Sequence, residues 1–149
     1  MSPERPRLSI SLRVGVVVLV LLLVIGVLGA ASLFDGLTRI RVGFGWTGCS
    51  FATGHCEGEV GYVSQQLPLD RFELGILEGP NLVAGPRVLG ANVTLTGGDA
   101  VATFMDRGRA GYLDVGDYLR LEAGCGDVGL AIFWAASHAE LDRASTRFC

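Results

Sequence analysis

Apolar positions along the chain follow two regimes. Residues 14–34, VGVVVLVLLLVIGVLGAASLF, form an unbroken run of 21 residues without a charge, fenced by Arg13 and Asp35. At about 1.5 Å rise per residue, a helix of that length covers roughly 30 Å, the thickness of a bilayer's hydrocarbon core. Val, Leu and Ile occupy every face, so no stripe points to one side. The pattern predicts a transmembrane helix over 14–34. After Asp35 the period becomes two, the mark of half-buried strands. Residues 39–45 (RIRVGFG) alternate Ile40, Val42 and Phe44 with Arg and Gly, and a Gly-rich, Cys-bearing excursion follows over 45–58. Further strands are expected at 59–63, at 71–77 with Phe72, Leu74 and Ile76 on one face, and at 117–122. Segments 91–95 and 100–105 flank Thr96-Gly97-Gly98-Asp99 as a hairpin. Residues 128–134 (VGLAIFW) are apolar throughout, which predicts a central strand buried on both faces. Residues 65–70, with Pro68, read as a polar turn region, and Glu78-Gly79-Pro80-Asn81, Ala84-Gly85-Pro86 and residues 135–138 read as turns. A last strand, or a short helix, covers 139–148.

These elements give a mainly β chain: an N-terminal transmembrane helix followed by a small antiparallel β-sandwich over 35–149. The 22 glycines between short alternating runs favour that class over a helical domain. About 115 residues suffice for one modest core and not for two. Residues 1–13 carry Arg5, Arg7 and Arg13 against Glu4, and predict a short basic cytoplasmic tail with the C-terminal domain outside. The rival is a cleaved secretory signal at the small-residue cluster 29–32. The uncharged run exceeds the usual signal core of about 7–15 residues, which favours a retained or N-terminally trimmed anchor. From residue 35 onward nine Arg face fourteen Asp and Glu, a mildly acidic balance with no electrostatic footprint for nucleic acid. The expected partners are membrane lipid and, through the apolar helix, further copies of the chain.

Four cysteines, Cys49, Cys56, Cys125 and Cys149, suggest two disulfides in an exported domain. Three connectivities exist; local pairing, Cys49 with Cys56 and Cys125 with Cys149, is favoured, since residues 50–55 between the first pair read as a hairpin tip and the second bridge pins the last residue. A zinc site joining His55 to these thiols lacks a Cys-x-x-Cys pair. Residues 106–117, DRGRAGYLDVGD, overlay a twelve-residue calcium loop, with Asp106 first, Gly111 sixth, Asp114 ninth and Asp117 twelfth. Gly108 and Ala110 at positions three and five bring no side-chain oxygen, and Arg107 and Arg109 add positive charge. A tight inter-strand loop with no cofactor is therefore expected over calcium binding. Asn92-Val93-Thr94 is an N-glycosylation acceptor pattern, usable if Val93 points inward. Glu57 and Glu59 share a solvated strand face. His55 and His138 have no carboxylate or serine at a telling spacing. Trp46 and Trp134 read as core or interfacial anchors. No nucleophile–base set, P-loop or dinucleotide fingerprint occurs, so no enzymatic activity is expected.

A short Arg-bearing N-terminus, a continuous apolar helix and a Gly-rich β domain together resemble the archaeal type IV pilin-like proteins. FMDRGRAGYLDVGDYLRLEAG (104–124), followed by VGLAIFWAAS (128–137), is similar to the C-terminal part of such domains. The resemblance implies peptidase processing at Arg13-Val14-Gly15, cutting after Gly15 and freeing Val16. It also implies a non-enzymatic role in surface structure or adhesion. The expectation is a membrane-anchored structural or adhesion protein, as a filament subunit or as a monomeric surface-binding module.

Overall fold

The computed structural model describes Gly15, residues 17–25 and residues 40–149. The chain divides into two units, Met1–Arg39 and Ile40–Cys149. In the first, Gly15 and residues 17–25 are helical, and the Val, Leu and Ile side chains of 17–25 are exposed. Among the described residues no helix is long and apolar enough to cross a membrane. The rest of the expected 14–34 span, the 1–13 tail and residues 35–39 lie outside the described residues.

The second unit is built of strands: β1 (Val42–Ser50), β2 (His55–Val63), β3 (Leu67–Pro68), β4 (Phe72–Glu78), β5 (Asn81–Val88), β6 (Asn92–Gly97), β7 (Ala100–Met105), β8 (Tyr112–Leu113), β9 (Tyr118–Glu122), β10 (Gly126–Trp134) and β11 (Ala139–Phe148). One sheet has five strands in the order β1-β2-β9-β7-β6; the other has four, β11-β10-β4-β5; β3 and β8 pair separately. All pairings are antiparallel.

Alternation explains the layers. Val42 and Phe44 of β1, Cys56 and Val60 of β2, Val93 and Leu95 of β6, and Leu119 and Leu121 of β9 turn one way. They meet Phe72, Leu74 and Ile76 of β4 and Leu130 and Ile132 of β10 in one core cluster. The two sheets thus bury a shared interior, as expected of a sandwich. β10, between β11 and β4, is buried on both faces, in line with its apolar run. Phe133 and Ala131 on its outward face join Leu77 of β4 in a second small cluster. β4 is buried throughout Phe72–Leu77 rather than on one face alone, because this outer cluster covers its second face.

The edges of the two sheets also meet. Phe44 N–H of β1 donates to Asp142 Oδ2 of β11 at 2.9 Å. On the other side Arg87 Nη1 of β5 donates to the Thr94 carbonyl of β6 at 3.1 Å, and a Cβ on Gly97 would stand 2.5 Å from that of Ala84. Side chains therefore cap backbone groups that an open edge would leave unpaired.

Three sequence expectations are corrected. Residues 45–58 are not an excursion; β1 and β2 run through them as a long hairpin whose tip is 51–54. Ala84-Gly85-Pro86 is not a turn: β5 continues through it with register shifts against β4. Proline survives there because β5 is the edge of its sheet, where a missing N–H breaks no ladder. Residues 65–70, expected as a polar turn, contain β3 and a single 3-10 turn at Leu69–Arg71. The 91–105 hairpin, the 135–138 turn and the final strand occur as expected.

Register sorts the connections to two ends. Cys49↔Cys56, His55↔Glu122, Val101↔Glu122 and Val128↔Glu78 bring the 51–54, Gly98–Asp99, 123–125 and Gly79–Pro80 turns to one end. The opposite end holds Ile40, where the described domain begins, with the 106–117 loop and the 135–138 turn.

Candidate functional site

The five-stranded sheet exposes its outer face. Alternation sends Cys56, Gly58 and Val60 inward and leaves His55, Glu57 and Glu59 outside. Register then places Glu122 opposite His55, Arg120 opposite Glu57 and Tyr118 opposite Glu59. A chain of polar groups results. Tyr118 Oη donates to Glu57 Oε1 at 2.7 Å, and His55 Nε2 lies 3.3 Å from the same oxygen. His55 Nδ1 is 3.8 Å from Glu122 Oε1, and Glu122 is ion-paired with Arg120. The Tyr118 hydroxyl, then His55, holds the Glu57 carboxyl below its ordinary range. Burial, then the Glu57 carboxylate, pushes the Tyr118 phenol up. The Arg107 guanidinium covers the Tyr118 ring at 4.0 Å from its centroid.

Where this face meets the turn-rich end, a concavity of about 540 Å³ opens beside the 51–54 tip, with His55, Asp99, Arg120 and Glu122 around it. The tip is held tightly. Cys49 and Cys56 are bonded directly across the hairpin. Thr53 N–H and Oγ1 both reach the Ser50 carbonyl, at 3.3 and 3.4 Å. Gly54 adopts φ +60°, and its carbonyl accepts the Ala123 N–H at 2.8 Å. A Cβ there would lie 2.1 Å from the Ala123 oxygen, so the approach requires glycine. Phe51 stands 59% exposed on the same tip. The arrangement supplies hydrogen-bond donors and acceptors around an open cavity. Register sets Ser50 opposite His55, but among the described residues the hydrogen-bond partner of the His55 ring is Glu57; all four cysteines are in disulfides.

The 106–117 loop has a different use for its carboxylates. Asp117 is fully buried. Its Oδ1 accepts the N–H groups of Arg107 and Gly108, and its Oδ2 that of Asp114, each at 2.9 Å. Asp106 Oδ2 accepts Gly111 N–H at 2.6 Å, and Asp114 Oδ1 accepts Val115 N–H at 2.8 Å. A hydrogen bond from the Gln66 side chain, then that N–H, holds Asp114 below its ordinary carboxyl range. Among the described residues no three Asp, Glu, His or Cys converge to hold a metal ion. At Asp106, Asp114 and Asp117, the residues of the calcium-type pattern, backbone amides occupy lone pairs that a cation would use. The sixth-position glycine is still needed, since Gly111 sits at φ +83°. Arg109, expected to repel a cation, stacks on Tyr112 at 4.5 Å.

The remaining candidates fall as follows. Cys125 is bonded to Cys149, beside the 123–125 turn. Asn92 begins β6 with its side chain exposed, as is Thr94, while Val93 is buried. Gly15 is helical, but residues 14 and 16 on either side of it lie outside the described residues. Trp134 packs edge-on against Phe72 at 5.6 Å. Trp46 lies against Gly58, with its Nε1 buried and unpartnered among the described residues.

Three carboxylate–histidine contacts, His55 with Glu57 and with Glu122 and His138 with Glu73, were missed from the sequence. His55 shares a face with Glu57 by simple alternation, a signal that was present. His138 Nδ1 lies 2.7 Å from Glu73 Oε2 across 65 residues; only the β4–β10 pairing and the following turn bring them together. No family model, curated protein or solved structure matches this chain.

Proposed function

We propose that this chain is a membrane-anchored, extracytoplasmic structural or adhesion module, working by reversible binding through its β domain. The observation that carries this reading is the pair of disulfides, with no free thiol, in a domain that follows a 21-residue uncharged run after only five residues. Disulfides persist in oxidising compartments and are rare in the cytosol. An uncharged run of that length inserts stably in lipid. The polar outer face of the five-stranded sheet supports binding, since it gathers donors and acceptors beside an open cavity. The test is protease treatment of intact cells combined with non-reducing alkylation. The domain is expected to be cleaved from outside and to show no free thiols. A soluble, reduced, full-length chain in the cytosol refutes the reading.

The triplet Arg13-Val14-Gly15 before the apolar run favours a second reading, a pilin-like filament subunit whose helices bundle while the β domains face outward. It predicts a mature N-terminus at Val16 by intact-mass measurement and the protein in sheared surface fractions. An intact Met1 or Ser2 counts against it.

A further inference from the structure

We infer that Asn92 is N-glycosylated, carrying an oligosaccharide on its side-chain amide. The inference rests on the reading of the domain as extracytoplasmic, since such transfer acts on exported chains, and it adds a modification to that reading. The acceptor pattern needs an amide and, two residues on, a hydroxyl that the same enzyme can reach. Strand side chains alternate between faces, so residues two apart share one. β6 meets that condition. Asn92 and Thr94 are exposed, while Val93 between them is buried in the core cluster. β6 is also the last strand of the five-stranded sheet, flanked within it by β7 alone. Arg87 of β5 engages the Thr94 carbonyl and not its hydroxyl. Both groups of the pattern therefore face outward together in the folded domain.

The other asparagine supplies the contrast. Asn81 is exposed as well, at the start of β5, but Val83 stands two residues on. Exposure is common to both; the hydroxyl belongs to Asn92 alone. Folding gives no reason for Asn92, because asparagine is depleted in strands and an exposed one packs no core. In the transfer, the amide nitrogen attacks the anomeric carbon of an oligosaccharide carried as a lipid-linked diphosphate. The C–N bond forms and the sugar C–O bond to the diphosphate breaks. The electron pair leaves with the diphosphate, and one amide proton passes to a base. A bulky polar group on an edge strand also hinders pairing with another sheet.

The test uses the full-length chain purified from the membranes of the cells that make it. The chain is reduced, alkylated and cut with trypsin, and its peptides are weighed by mass spectrometry. There is no lysine, so arginines alone set the fragments: 72–87 holds Asn81 and 88–107 holds Asn92. Sugar mass is expected on 88–107 and none on 72–87. Asn92→Gln and Thr94→Ala should each abolish it, and Thr94→Ser should keep it. An unmodified 88–107 peptide overturns the inference. Sugar mass that survives Asn92→Gln overturns it too, and identifies attachment to a hydroxyl; so does mass that survives Thr94→Ala. The parent peptides decide the matter even where a variant fails to fold. Cleavage by external protease together with a bare Asn92 defeats the glycan alone, whereas a cytosolic chain defeats the anchored-module reading as well.

Discussion

Asp117 is the residue whose removal most directly tests how the 106–117 loop is built. Its carboxylate is fully buried and accepts three backbone N–H bonds, each at 2.9 Å. Hydrogen bonds to a charged acceptor contribute about 1.5–3 kcal/mol each. Arg107 and Gly108 are exposed and can turn their freed amides to water, so the three contributions do not simply sum. Asp117→Ala is therefore expected to cost about 3–4 kcal/mol, within the large tail reserved for broken buried networks. Asp117→Asn keeps the shape and one acceptor oxygen for Arg107 and Gly108, but aims an amide N–H₂ at the Asp114 N–H. That donor-to-donor clash should cost about 2 kcal/mol. For a domain of this size 1 kcal/mol corresponds to about 4 °C, so the alanine variant should melt about 12–16 °C lower. Urea and thermal unfolding of the full chain, followed by circular dichroism with calcium or with chelator, supply the assay. The expected order is wild type, then Asn, then Ala, with an unchanged urea slope and no response to calcium. An Asn variant as stable as the parent, or a melting point raised by calcium, would refute the capped-loop account.

Other expectations follow from the same contacts. The bridges close separations of 24 and 7 residues, so replacing Cys125 and Cys149 by Ser should cost about 3.5 kcal/mol and replacing Cys49 and Cys56 about 2.5 in urea titrations. Asp142→Ala removes the acceptor of Phe44 N–H at the β1–β11 seam; it should cost about 2 kcal/mol and speed hydrogen exchange at that amide, and unchanged exchange there would contradict the closed seam. Glu57 and Asp127 are held below their ordinary carboxyl ranges, chiefly by Tyr118 and Arg147 respectively. A depressed folded-state pKa contributes stability above the unfolded value and loses it as pH falls through the folded one. Stability should thus decline below about pH 4.5. Tyr118 has the opposite sign: its raised phenol should make stability fall as pH climbs beyond about 10. Tyr118→Phe should flatten the alkaline limb and reduce Glu57's part of the acid limb, and identical pH profiles would count against the pairing.

Local pattern alone determined much of this protein. The apolar run from Val14, the period-two segments, the 91–105 hairpin and the doubly buried 128–134 strand depend on neighbours close in sequence, whereas the choice among three cysteine connectivities was settled by the fold. Glu57 and Glu59 were already legible as one strand face, but only the structure extended that strand back to His55. Only the tertiary structure decided that Ala84-Gly85-Pro86 continues an edge strand, because whether a proline is tolerated depends on which side lacks a neighbour. It alone decided that Asp117 accepts three backbone amides, since the spacing of oxygens in a sequence does not reveal which donors the chain folds against them. The polar line from Tyr118 through Glu57, His55 and Glu122 to Arg120, and the contact of His138 with Glu73, arise from register between strands distant along the chain. Register follows from burying both sheets against one core, and that global condition is written in no single segment.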